Sequence, residues 1–157
     1  MRGNLIRQLN HWDIHRYLRL ENASELFGRS RHLVHTTSLL RYPVFVRGGD
    51  YRGTPDMTKH HVLREYLLKY FVDEVEQMKD ALFFSLGSLV QKVLDKLVVE
   101  GAISSDRLIG GLLHPSGNNT YRVNYLTGDR TSVVPHATNP RPYDLGRKLF
   151  HEKFLLI

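Results

Sequence analysis

Apolar residues at Val62, Leu63, Tyr66, Leu67, Tyr70, Phe71, Val75 and Met78 fall three and four apart, the spacing of one helix face. Thr58 is the expected N-cap of that helix. Tyr66, Tyr70 and Phe71 are expected to pack inward rather than offer a stacking surface. The pattern then changes. Ala81 to Leu86 is a short continuous apolar run closed by Gly87, which suits a strand buried on both faces. Ser88 opens a second helix with Leu89, Val90, Val93, Leu94, Leu97 and Val98 as its core face and Gly101 as its stop. Arg107 to Leu113 reads as a further strand that runs straight into His114. Strands alternating with helices predict an α/β fold with a mostly parallel sheet.

Upstream, Leu5, Leu9, Trp12 and Tyr17 outline one helix or two short ones, and Asn22-Ala-Ser opens a further turn or short helix ending near Gly28. The run Arg31 to Leu40 mixes β-branched and apolar residues and predicts a strand. Tyr42 to Pro55, with Gly48, Gly49 and Gly53, predicts a long irregular loop of the kind that often carries function. Beyond Thr120 the pattern is less regular. Asn124 to Arg130 reads as a turn, Pro135, Pro140 and Pro142 break the next stretch, and Tyr143 to Phe154 closes the chain as a helix.

The 157 residues suffice for one domain with a real core. A net charge of +6 favours polyanionic partners, DNA or RNA among them. The chain has no cysteine, so disulfides, thiolate nucleophiles and cysteine-held metals are excluded. The N-terminus lacks the apolar stretch of a signal peptide, and no apolar run has the length of a membrane-spanning helix. The expectation is a soluble intracellular protein, cytoplasmic and nucleoid-associated if bacterial, monomeric, without metal or organic cofactor.

In open α/β sheets ligands bind beyond the carboxyl ends of the strands. His114-Pro-Ser-Gly-Asn-Asn119 stands at such an end. The proline forces a tight loop, and the serine, glycine and two asparagines offer donors and close backbone approach to an anion. The alternative is a plain strand-to-loop turn with an incidental histidine. Tyr42, Phe45 and Tyr51 either stack on an extruded base or pack the loop. Arg29, Arg31, Arg41, Arg47 and Arg52 either meet phosphates or form a generic charged surface. Asp50 and Asp56 are read as turn residues rather than general bases, and His60-His61 as a solvated pair rather than a metal site.

The His-Pro-Ser segment followed by asparagine resembles motif 2 of the uracil-DNA glycosylase superfamily. Val34-His-Thr-Thr-Ser-Leu, Gly49-Asp-Tyr-Arg-Gly-Thr-Pro, Leu86-Gly87 and Gly111-Leu-Leu-His-Pro-Ser resemble, in order and spacing, its single-strand-selective monofunctional type. The resemblance covers roughly residues 5–119 of a single domain 1–157, with 120–157 as a C-terminal extension. It implies a three-layer α/β/α fold, with or without its first strand, that binds damaged DNA, flips a base from the stack and hydrolyses its N-glycosidic bond. By that resemblance His114 stabilises charge growing on the leaving base, in the manner of an oxyanion hole. Ser116 contacts a flanking phosphate. Gly117, Asn118, Asn119, Tyr121 and Arg122 form the loop pushed into the DNA, where Tyr121 and Arg122 either fill the emptied stack or lie on the surface.

Two departures stand out. The family reads uracil with an asparagine on its middle strand, where Thr36 stands here and offers one hydroxyl. Motif 1, a Gly- and Pro-containing strand end with the Asp or Asn that positions water, has no counterpart. Gly3-Asn4 is the nearest approach, and no proline precedes Pro43. The expectation is either a truncated chain or a divergent member, and the alternative function is DNA binding without catalysis.

Overall fold

The computed structural model describes residues 1–128, 130 and 138–154. Pro135, one of the three prolines expected to break the C-terminal stretch, lies outside the described residues. The molecule mixes helices and short strands, with one parallel strand pair. It divides into two compact units, each assembled from separate stretches of chain.

The first unit holds α1 (Arg2–His11), α2 (Ile14–Tyr17), a short 3-10 turn at Ala23–Phe27, and almost all of β3 (Phe83–Leu86) and β4 (Leu108–Leu112). It also holds α6 (Thr120–Thr127) and α7 (Arg141–Phe154). Leu9, Trp12, Ile14, Leu26, Ile109, Leu112, Val123, Leu126, Tyr143 and Phe150 are among its buried side chains. The Asn22 side chain accepts from Ser24 N–H and Glu25 reaches back to Asn22 N–H, a capping box that starts the 3-10 turn where the sequence places it. Strands β3 and β4 pair in parallel, and the ladder is continued by Gly87 N–H donating to the Leu112 carbonyl at 2.9 Å.

The second unit contains the hairpin β1 (Phe45–Val46) and β2 (Gly49–Asp50), whose antiparallel strands meet through Arg47-Gly48. It then runs through α3 (His61–Tyr66), a π-helical stretch Leu67–Val72 and α4 (Asp73–Gln77), and includes α5 (Ser88–Val99) from Leu89 onward. Its core is Leu39, Met57, Leu63, Leu67, Phe71, Val75, Phe83, Val93, Leu94, Leu97 and Ile103. The helical periodicity from 62 to 78 is thus one continuous helical run, and α5 carries the core face expected of it.

Several expectations are corrected. The strand expected over Arg31–Leu40 does not form: Arg31–Leu33 is a 3-10 turn, and residues 34–40 run on without a ladder partner. Thr36 is exposed on that segment, so it belongs to no middle strand. Among the described residues the parallel pair has two strands, and the α/β class is met at that level. His60, not Thr58, precedes the first turn of α3. Thr58 is buried and bonded to Asp56 instead. Tyr66 is exposed and Tyr70 half-buried, so of the three aromatic residues only Phe71 belongs to the core. Directly after Thr120 the chain is helical: α6 includes Asn124–Thr127, which the sequence pattern assigns to a turn, because Val123 and Leu126 both find burial on its inner face. Arg141–Phe154 is helical as expected, and it begins two residues before Tyr143.

Candidate functional site

The carboxyl ends of β3 and β4 place Gly87 and His114 together in the first unit. Gly87 has φ +100, a backbone region that side chains rarely adopt. A Cβ added there would stand 3.1 Å from the His114 Cβ. The Leu-Gly step after β3 therefore has a local purpose: it lets one strand end approach the histidine of the other.

His114 is exposed, and the backbone on both sides of it is held from α1. Gln8 is fully buried. Its Oε1 accepts from Leu113 N–H at 2.8 Å, and its Nε2 donates to the Leu113 carbonyl at 3.2 Å. One amide thus satisfies both backbone groups of the residue before the histidine, where the ladder has ended. One helical turn earlier, Asn4 Nδ2 donates to the Ser116 carbonyl at 3.1 Å and to Thr120 Oγ1 at 2.9 Å, with the Pro115 carbonyl at 3.4 Å. From the other direction Asn119 Nδ2 donates to the His114 carbonyl at 2.9 Å. Three side-chain amides fix the backbone of the turn and leave the imidazole facing solvent.

Pro115 is buried, Ser116 half-buried, and Gly117 and Asn118 exposed. Gly117–Asn119 forms one 3-10 turn that runs directly into α6. The 117–122 segment is therefore not an open loop: Thr120, Tyr121 and Arg122 make the first turn of a helix. Tyr121 is 37% exposed, and Arg122 lies over its ring at 5.6 Å while donating from Nε to its hydroxyl at 3.0 Å. The two present a joint aromatic and cationic surface beside the His114 turn.

The remaining candidates belong to the second unit, apart from Arg29 and Arg31 in the first. Thr36, Tyr42 and Phe45 are exposed, Tyr42 and Phe45 strongly so at 54% and 67%. Tyr42 sits edge-on to Tyr66 and Tyr70, with Arg41 over the Tyr70 ring at 5.8 Å. Tyr51 is half-buried, donates to the Pro55 carbonyl at 2.6 Å and packs against the core of its unit. Asp56 ends in a side-chain turn with Thr58, and Asp50 is exposed in β2. His60 and His61 are both exposed at the start of α3. Of the arginines, Arg29 is paired with Glu25 at 2.6 Å and Arg41 lies 3.9 Å from Glu74.

Sequence reasoning missed Asn4 and Gln8. Both are polar residues on a short helix, where a solvated face is the ordinary reading. The partners they serve lie more than a hundred residues further on. The one available signal was the pairing of two amides one turn apart beside Leu5 and Leu9.

A cavity of about 440 Å³ opens in the first unit among His11, Arg130, Asp144, Arg147, Lys148 and His151. None of the residues predicted for a base-binding site lines it.

Comparison with known proteins finds a relative in Bacillus subtilis (strain 168). The chain is 31% identical over 135 residues to its "Uncharacterized protein YoxB", a match that covers 85% of this chain. The chain spans about half the length of that curated relative. No protein-family profile matches, and no solved structure matches. Among the described residues no helix is long and apolar enough to cross a membrane.

Proposed function

We propose that this chain is a DNA-binding, base-excising domain of the uracil-DNA glycosylase type, with His114 as the group that stabilises the departing base. The observation that carries this reading is the His114 turn. An exposed imidazole stands at the carboxyl end of a parallel strand, and Gln8, Asn4 and Asn119 fix the backbone around it. Such rigidity is what an electrostatic catalyst needs. A donor held in place before the reaction costs no reorganisation as charge develops on the leaving group.

The chemistry is set by that placement. A flipped base whose carbonyl oxygen meets the imidazole gains charge there as the glycosidic bond breaks, and an imidazole N–H donates to it. Ser116 and the N–H groups of Gly117 and Asn118 face a flanking phosphate, the Asn119 N–H being taken by the Ser116 carbonyl, and the Tyr121–Arg122 surface lies against the strand. On this reading the β3–β4 pair is part of the parallel sheet of a three-layer fold, and the protein acts on DNA as a monomer.

A non-catalytic reading has one specific observation in its favour. The segment with the nearest approach to a water-positioning motif is helix α1, and its asparagine, Asn4, is engaged on the carbonyls of the turn. A member built in this way binds DNA through the same surface and hydrolyses nothing.

The experiment uses a single-stranded oligonucleotide carrying one uracil, incubated with the protein and treated with alkali to cleave abasic sites. Cleavage at the uracil supports the glycosylase. Salt-dependent binding without cleavage selects the binding-only reading. Neither binding nor cleavage by folded protein removes both.

A further inference from the structure

The cavity beside α7 is chemically distinct from the His114 turn, and its charges are unevenly matched. Arg130 and Asp144 form a bidentate pair at 2.6 and 2.7 Å and neutralise each other. Arg16 and Arg147 share one carboxylate, while the His151 Nε2 beside it donates to the Trp12 carbonyl at 2.8 Å. Asp13 is approached by Arg16 Nε at 3.4 Å, Arg147 Nη2 at 3.4 Å and His151 Nε2 at 3.3 Å. None of these approaches to Asp13 is as short as a charge-assisted hydrogen bond, which runs near ~2.8 Å. Arg147 Nε is sealed from solvent and has no hydrogen-bond partner among the described residues. Among the described residues Lys148 reaches Glu152, at 3.5 Å, with its side chain 70% exposed. His11 completes the wall, its Nδ1 3.1 Å from the hydroxyl of the buried Tyr143.

We propose that this cavity is a binding site for a phosphate group, with Arg147 as the principal ligand and Lys148 and His11 beside it. A guanidinium that is 39% exposed and whose ion pair to Asp13 is long and shared is completed by an oxyanion that accepts from its terminal nitrogens. A phosphate offers the oxygens for this and for Lys148 together. The volume lies within the range of small-molecule pockets, so it admits the organic part of a phosphoester as well as the phosphate itself.

The electrostatics agree. The His11 pKa is lowered, first by burial and next by the positive fields of Arg147 and Arg130, which precede the opposing effects of Asp13 and Asp144. The proposal stands apart from the glycosylase reading, since no residue is shared between the two sites.

The phosphate has two sources, a free nucleotide or a DNA strand, and the test separates them. The His11 imidazole is followed by NMR in the whole chain, its signal assigned by comparison with His11→Gln. One arm adds thymidine monophosphate, and the other an unphosphorylated single-stranded oligonucleotide. The site predicts that the His11 titration midpoint rises toward the ordinary 6.5 or beyond when phosphate is bound. A response to the monophosphate alone assigns a small phosphoester, and a response to the oligonucleotide assigns the DNA backbone. Arg147→Met abolishes the response, and the exposed Lys148→Ala, which leaves the Asp13 contacts in place, weakens the apparent affinity about two- to fivefold. A His11 midpoint unmoved by millimolar ligand in both arms overturns the proposal. So does an equal movement produced by chloride at matched ionic strength.

Discussion

Gln8 bonds both backbone polar groups of Leu113, accepting its N–H at 2.8 Å and donating to its carbonyl at 3.2 Å. This bidentate contact couples the first helix of the chain to the residue before His114, and it makes Gln8 a support of the site as well as of the fold.

Gln8→Leu keeps the bulk and removes the amide, leaving the Leu113 N–H and carbonyl without their partner. An unsatisfied buried polar group costs about 1–3 kcal/mol. For a chain of this size that lowers Tm by roughly 3–10 °C. Gln8→Glu retains one acceptor for Leu113 N–H and falls between. Thermal unfolding followed by circular dichroism checks the order.

Gly87→Ala tests the approach of the two strand ends. The new methyl carbon would stand 3.1 Å from the His114 Cβ at a φ of +100. The histidine must move by a few tenths of an ångström, and misplacement of that order at a reacting group is costly. Base release is expected to fall about tenfold or more, while a Gly101→Ala control, also at positive φ but with open space around it, leaves the rate unchanged. Single-turnover rates on matched substrate decide this.

Gly146 marks the tightest packing in α7. A Cβ there would run into the Gly110 carbonyl oxygen and the Trp12 ring, and the first of these is backbone of β4. Gly146→Ala is expected to destabilise by about 1–3 kcal/mol or more through overpacking. Gly3→Ala in α1 meets open space and is expected to stabilise by up to about 1 kcal/mol. Denaturant midpoints of the two variants should move in opposite directions.

Asp56 supplies a pH prediction. Its carboxylate accepts from Thr58 N–H at 2.8 Å and the Thr58 hydroxyl at 2.7 Å, with Lys96 Nζ at 3.2 Å. The bonds from Thr58, ahead of the ammonium of Lys96, hold its pKa at about 2 against an ordinary 3.8. A depressed carboxyl stabilises the fold above its unfolded pKa and loses that contribution as pH falls from 3.8 through about 2. The carboxyl NMR titration of Asp56 should move upward more in Thr58→Val than in Lys96→Ala. The reverse order would assign the shift to the ion pair.

The elements that were readable from sequence are those whose burial is periodic and local. Leu63, Leu67, Phe71 and Val75 are the core positions of the helix that their spacing predicts, and Val93, Leu94 and Leu97 do the same for α5. The same alternation placed His114 at a strand end. The run from Val34 to Leu40 misled because β-branched residues report suitability for a strand, while a strand also needs a neighbour to pair with. Here only Leu39 of that stretch is buried. Tyr66 and Tyr70 kept helical spacing yet stay outside the core, since the apolar stripe is narrower than the set of apolar residues. Helix α6 was hidden by its polar composition: Val123 and Leu126 are too few to show a period. Asn4 and Gln8 were invisible because their partners are remote in sequence, and long-range hydrogen bonds leave no local trace.

The central claim is that His114 is an electrostatic catalyst of base release, and the most direct measurement is the single-turnover rate of uracil release from single-stranded DNA by the protein and by His114→Ala. The account predicts that the parent releases the base and that the variant, folded and bound equally well, is about 100-fold slower, the size expected for one lost donor to a developing anion. Equal rates in the two proteins, or no release by a folded and DNA-bound parent, would contradict it.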